Sequence, residues 1–174
     1  VTRLRLGSMY PSYFTPERCR RLAACPCVLP HFHLSVQSGA TAVLSRMRRG
    51  YTREELYTAV ENIRREFPDA ALSCDMICGF PGESEEDLWD SIRFIREGRI
   101  LHTHVFPYSP RQGTKAASMT DTVPDGEKHC RARLMTAEAE KVHDSIFASN
   151  VGKEHRVLVE FFKISQRTNA LKYK

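Results

Sequence analysis

Ala70-Ala-Leu-Ser-Cys-Asp-Met-Ile-Cys-Gly-Phe-Pro-Gly-Glu-Ser-Glu-Glu-Asp-Leu88 is the stretch whose reading decides the fold. Its first nine residues form a short apolar run that suits a buried strand. Gly79, Pro81 and Gly82 then force a turn, and Ser84 with Glu85, Glu86 and Asp87 opens a helix. Serine caps a helix start, and carboxylates in the first turn meet the positive end of the helix dipole. Leu88, Ile92 and Ile95 fall on one side of that helix, and Gly98 is its expected terminator.

The same strand-turn-helix grammar runs through the chain. Thr2 to Leu6, Phe32 to Val36 and Leu101 to Phe106 read as further strands. Thr15-Pro16-Glu17 starts a helix reaching about Ala24, with proline at the first helical position. Thr52-Arg-Glu-Glu55 is a capping box ahead of Leu56, Val60, Ile63 and Phe67. A helix from about Asp125 to Ala148 carries Leu134, Val142 and Ile146.

Strands alternating with helices imply an α/β fold built of right-handed units on a parallel sheet. A complete eight-unit barrel needs roughly 250 residues, so 174 residues make part of a barrel or a small open sheet. After Gly152, Arg156-Val-Leu-Val-Glu-Phe-Phe162 reads as a strand that begins a separate β module.

Composition bounds the function. Charged residues are 27% and hydrophobic residues 41%, with no long uncharged run able to cross a bilayer, so a soluble, cytoplasmic protein without a membrane partner is expected. The formal charge of +5 suits a polyanionic partner, although the runs Arg18-x-Arg20-Arg21 and Arg46-x-Arg48-Arg49 read first as solvated faces. Six cysteines, none in the repeated two-residue spacing of a zinc site, read as reduced structural thiols.

Parallel sheets carry function at the carboxyl ends of their strands. The turns there are Gly7-Ser8, Gln37-Ser38-Gly39, Gly79-Phe80-Pro81-Gly82-Glu83 and Pro107 to Thr114. Glycines admit close approach of a ligand to backbone, while Ser8, Gln37, Ser38 and Asp75 offer groups for a ribose or an amino acid. Arg111 is suited to a carboxylate or phosphate. His31-x-His33 and His102-x-His104 each place two imidazoles on one side of a strand, the pattern of a metal site. They fall at the strand beginnings, the end of a parallel barrel that serves stability, so no metal ligand is assigned.

Four stretches in series, His33-Leu-Ser-Val-Gln-Ser-Gly39, Met47-Arg-Arg-Gly-Tyr-Thr52, Asp75-Met-Ile-Cys-Gly-Phe-Pro-Gly-Glu83 and His104-Val-Phe-Pro-Tyr-Ser-Pro-Arg-Gln-Gly-Thr114, resemble the second half of the radical S-adenosylmethionine barrel of tRNA methylthiotransferases. Val105-Phe-Pro-Tyr-Ser-Pro-Arg111 looks most like the branch acting on N6-threonylcarbamoyladenosine beside the anticodon; sister branches act on isopentenyladenosine or a ribosomal protein.

The resemblance implies a partial parallel (βα) barrel of the radical SAM type over residues 1–117, a helical connection over 118–151, and the start of a TRAM-like β module that holds tRNA over 152–174. It implies S-adenosylmethionine and 4Fe-4S clusters as cofactors, and tRNA as partner. Ser8, Gln37, Ser38, Asp75, Gly79, Phe80 and Pro81 resemble the cofactor's surroundings, with Tyr108 and Arg111 facing the substrate.

Two departures accompany it. Tyr10 stands where the family usually has a glutamate, and the cluster motif Cys-x3-Cys-x2-Cys occurs nowhere in these 174 residues. Three thiolates are what would hold the cluster. The chain therefore reads as a fragment of a longer protein or of an interrupted reading frame, inactive alone and prone to self-association through unpaired sheet edges. The rival readings are a non-catalytic RNA-binding remnant and a histidine-bound metal.

Overall fold

The computed structural model describes residues 1–120 and 122–154, and the backbone of 162–164 and 171–173. Strands β1 (Ser8–Met9), β2 (His31–Gln37), β3 (Ala71–Cys78) and β4 (His102–Pro107) lie in that order in one sheet, every neighbouring pair parallel. Helices α1 (Pro16–Ala23), α2 (Thr41–Arg46), α3 (Arg53–Glu66) and α4 (Glu85–Glu97) fall between them, and α5 (Asp125–Asn150) follows. Sequential parallel order is what a segment of a (βα) barrel requires.

Strand alternation divides the sheet into a dry face and an open one. Phe32, Leu34 and Val36 of β2 and Leu72, Cys74, Met76 and Cys78 of β3 are buried in one core with Leu56 and Ile63 of α3 and Ile92 and Ile95 of α4. Their strand neighbours His31, His33, Ser35, Gln37, Asp75 and Ile77 are half-buried on the opposite side. Continued around β4, that side carries the exposed His102, His104 and Phe106, while Val105 packs on the core.

The expected caps are present. Thr15 accepts from the Arg18 amide, and both Thr52/Glu55 and Ser84/Asp87 close reciprocal capping boxes. Leu56, Val60, Ile63, Leu88, Ile92 and Ile95 are buried as their spacing predicts.

Two expectations need correction, and two features were not foreseen. Residues 2–6 are not a strand of the sheet; only Leu4 bridges, to Val28, and pairing moves on to Ser8–Met9 beside His33 and Leu34. The cause is that Thr2, Arg3 and Arg5 are exposed, leaving too little apolar surface to bury there. Gly98 ends α4 at φ −68°, and Arg99 takes the left-handed conformation; glycine is useful there because a Cβ would lie 2.7 Å from the Phe94 carbonyl oxygen. In α5 the buried side is Met135 and Ala139 with partly buried Ala132 and Val142, while Leu134, one residue and about 100° from Met135, is exposed. The short helix α2, which buries Val43 and Leu44, lacks a capping side chain and was not legible. Of the strand expected over Arg156–Phe162, only Phe162 belongs to the described residues, where β5 (Phe162–Ile164) pairs antiparallel with β6 (Leu171–Tyr173). Among the described residues no helix is long and apolar enough to cross a membrane.

Candidate functional site

Strand register arranges the open face in rows. Ser73 of β3 stands between His33 and His102, and the next row outward pairs Asp75 with His104. His33 Nδ1 is 3.0 Å from the Ser73 hydroxyl, and its Nε2 is 3.4 Å from Asp75 Oδ2, so one imidazole ties two β3 side chains together. The His33 and His104 rings are 6.3 Å apart and those of His102 and His104 4.4 Å. Arg5 donates from Nε to His31 Nδ1 at 3.1 Å. Burial, and then the charge of Arg5, pull the His31 imidazole below its ordinary value; burial, and then His104, do the same to His102. Among the described residues no three His, Cys, Asp or Glu side chains are grouped to hold a metal.

Three of the four turns share one rim, because they follow the carboxyl ends of β2, β3 and β4 in the same parallel sheet; Gly7-Ser8 does not, since Ser8 lies within β1, paired with His33, and Gly7 precedes it. At the end of β2, Gln37 adopts φ +72°, a left-handed conformation that costs a side-chain-bearing residue of order 1 kcal/mol and persists only when its surroundings impose it. Those surroundings are visible. Tyr51 donates its hydroxyl to the carbonyls of Ser35 and Val36, the latter at 3.0 Å, and Ser38 is wholly buried with its hydroxyl 3.2 Å from that of Ser91 on α4. The Ser91 hydroxyl accepts from the Gly39 amide at 2.8 Å, where a Cβ would lie 2.7 Å from Ser91 Cα. Ser38 is therefore engaged within the fold, Gln37 is half-buried at the end of β2, and Ser8 is exposed on the edge strand β1.

The turn after β3 is self-closed. Gly79 has φ +71° and its amide donates to Glu83 Oε1 at 2.8 Å, while Glu83 is buried and meets Arg131 of α5 at 2.9 Å. A Cβ on Gly79 would lie 2.4 Å from Lys128 Cγ. Burial pushes the Glu83 carboxyl up, against the pull of Arg131 and the Gly79 amide. Phe80 and Pro81 are buried, and Phe80 meets Tyr108 edge-on at 5.1 Å within a small second core that includes Ala40, Val43 and Met119. Arg111 is exposed beyond it.

A cleft of about 470 Å³, a size ordinary for ligand sites, is lined in part by Tyr10, Arg48, Arg49, Ile77, Tyr108 and Lys115; Ser8, Gln37, Ser38, Asp75, Gly79, Pro81 and Arg111 are not among its lining residues. The cleft gathers Ile77, Phe80 and Tyr108 from the expected set and adjacent positions. Tyr10, Arg49 and Lys115 enter from outside the assigned site residues. The signal for the arginines was the Arg46-x-Arg48-Arg49 run, which read first as a solvated face.

The donor set accommodates a nucleoside-bearing cofactor and not an iron-sulfur cluster. Toward the former it offers Asp75, whose carboxylate has only His33 as an ion-pair partner among the described residues, and the buried Tyr108 hydroxyl, which has no hydrogen-bond partner among them. Toward the latter it offers nothing: Cys74 and Cys78 face the dry side of β3, burial pushing each thiol up to about 12, and Cys78 Sγ lies 3.6 Å from Met135 Sδ. Cys19 is buried too, and Cys25 and Cys130 are exposed singly.

Comparison with known proteins agrees with this geometry. A sequence model of the Radical SAM superfamily matches residues 4–95. The chain is 40% identical over 159 residues to tRNA-2-methylthio-N(6)-dimethylallyladenosine synthase of Thermobifida fusca, covering 91% of this chain and 32% of that protein. It is 43% identical over 157 residues to the threonylcarbamoyladenosine tRNA methylthiotransferase MtaB of Treponema pallidum, covering 90% and 32%. The chain thus spans about a third of the length of these relatives. Coproporphyrinogen III oxidase of Escherichia coli, described as a radical SAM enzyme, superposes with a TM-score of 0.66 at 16% identity over 80% of this chain and 32% of its own. Elp3 of Methanocaldococcus infernus gives 0.60 at 14% over 87% and 42%. With a matched family model over more than half its length and four sequential parallel strands in one sheet, the chain belongs to the radical SAM superfamily.

Proposed function

We propose that this chain provides the cofactor-facing and substrate-facing part of a cytoplasmic tRNA methylthiotransferase, with N6-threonylcarbamoyladenosine as the modified nucleoside. The observation that carries the reading is the shared rim: the segments that follow β1, β3 and β4 of one parallel sheet line a single cleft, beside an open polar sheet face. S-adenosylmethionine, when bound, supplies the radical precursor. Ser8, Gln37 and Asp75 are suited to its polar groups, the Gly79–Pro81 segment to its adenosine, and Tyr108 and Arg111 to the substrate. Ser38 acts by fixing the Gln37 turn. The antiparallel pair β5–β6 supports a TRAM-like β module over 152–174 that holds tRNA, joined by the helical connection over 118–151.

Relatives named for both dimethylallyladenosine and threonylcarbamoyladenosine match at similar identity, so the choice between bases rests on Val105-Phe-Pro-Tyr-Ser-Pro-Arg111. Titration calorimetry with S-adenosylmethionine tests the first half of the reading. Binding that weakens about tenfold in Asp75→Asn supports it, and no heat from the wild-type chain would sink it. Filter binding with tRNAs carrying either modified adenosine tests the second; the threonylcarbamoyl form is expected to bind more tightly.

A non-catalytic RNA-binding role is the second reading, favoured by cysteines that face the dry side or stand apart. It predicts that protein reconstituted with iron and sulfide shows no cluster absorbance and cleaves no S-adenosylmethionine.

A further inference from the structure

We propose that the rim cleft is a seat for the ribose-phosphate backbone of single-stranded RNA, with Arg48, Arg49 and Lys115 taking phosphate oxygens and Tyr10 stacking on a base. This rests on the tRNA reading above and deepens it by locating the contact.

The charge balance of the cleft is the first support. None of its twelve lining residues is acidic, and four are Arg or Lys. Arg46 is partly compensated by Asp87 at 3.8 Å. Arg48, Arg49 and Lys115 form no ion pair with a carboxylate among the described residues, so the cationic lining of this cleft is left largely uncompensated. A hollow left with unneutralised cations at a protein surface attracts polyanions and releases their counterions on binding. Arg48 is held at φ +57°, a conformation that ends α2 and keeps the two consecutive arginines at the cleft.

The aromatic groups are the second support. Tyr10 is 53% exposed, and its ring lies 5.8 Å from the Arg49 guanidinium, which also donates to its hydroxyl at 3.1 Å. An exposed ring braced by an arginine beside uncompensated cations is the combination that single-stranded nucleic-acid grooves use, since bases of every sequence stack on it. Tyr108 adds a second ring in the wall of the same cleft, set edge-on to Phe80 at 5.1 Å. A hollow of about 260 Å³ between α4 and α5 differs in carrying its own carboxylate: Glu138 lines it and pairs with both Arg96 and Lys141.

Fluorescence anisotropy with a labelled ten-nucleotide oligoadenylate and with tRNA, across a salt series, tests the proposal. Arg48→Ala/Lys115→Ala is expected to weaken binding about tenfold, and to lower the slope of log affinity against log salt by about 1.4, two single-strand phosphate contacts at about 0.7 each. Tyr10→Ala is expected to weaken binding about fivefold with the slope unchanged, and Tyr10→Phe to retain affinity. Arg20→Ala/Arg21→Ala, which removes equal charge from α1, is the control. If both double variants weaken binding equally, the cleft assignment is overturned while the tRNA reading stands; if the wild-type chain binds neither RNA, both fall. Circular dichroism confirms that each variant is folded.

Discussion

Arg131 reaches back 48 residues to Glu83: its Nη1 lies 2.9 Å from the buried carboxylate and 2.8 Å from the Glu83 carbonyl oxygen, fastening α5 to the turn after β3. Glu83 spends its other contact on the Gly79 amide, so one carboxylate fixes both the turn and the last helix. Replacing Arg131 by Met strands a buried charge and is expected to cost about 3–5 kcal/mol in urea unfolding. Glu83→Gln still accepts from Gly79 and should cost less, and the double variant less than the sum of the two. Strict additivity would show that the pair is not coupled.

Gly79→Ala combines a left-handed backbone with a Cβ 2.4 Å from Lys128 Cγ and 3.3 Å from Lys128 Cα. A loss of about 2 kcal/mol or more is expected, from backbone strain and from displacement of α5. Adding Lys128→Ala relieves the side-chain clash alone and should restore only part of it. Full restoration would mean that backbone conformation contributes little.

Thiol accessibility separates the cysteines. Iodoacetamide at pH 8 is expected to label Cys25 and Cys130 in the native protein, while Cys19, Cys74 and Cys78 react only after unfolding, because burial raises all three thiols. Peptide mass spectrometry reads the sites. Native labelling of Cys74 or Cys78 at the exposed rate would contradict the dry face described above.

Acid stability tests the histidine row. Folding holds His31 and His102 below their ordinary value of 6.5, so the stability contributed by their neutral forms is present above about pH 6.5 and is lost as pH falls through the depressed folded values. Glu83 runs the other way: its raised carboxyl contributes most below 4.5 and less as pH rises. Melting temperatures of the wild type and of His31→Gln/His102→Gln, taken from pH 7.5 to 5, isolate the first effect. The wild type should lose more on acidification than the variant, and parallel curves would remove the histidine contribution.

Where the sequence carried a strong local rule, it read true. The two capping boxes placed α3 and α4 to within a residue, and the Gly-Phe-Pro-Gly turn after β3 carried both the parallel order and the position of the rim. What failed was whatever depended on competition between neighbours. Thr2 to Leu6 has strand-like alternation, yet exposed arginines leave it outside the sheet; Leu134 has the right chemistry for a core but sits one step around α5 from Met135.

The site was legible as a set of turns, not as a division of labour. Ser38 and Gln37 are adjacent and polar, and nothing local tells that the Ser38 hydroxyl is spent on Ser91 while Gln37 closes β2 in a left-handed conformation. The convergence of Tyr10, Arg49 and Lys115, more than a hundred positions apart at its extremes, is a product of the sheet's order and was not available from spacing.

The one-sided sheet separates two kinds of evolutionary pressure. Positions such as Leu34, Leu72 and Met76 answer to packing and tolerate little change in volume, whereas Ser35, Asp75 and Ile77, interleaved with them along the same strands, are released from that demand. Every second residue can therefore be rewritten to suit a new ligand without renegotiating the scaffold, which makes this half-shell an economical platform for diversifying chemistry.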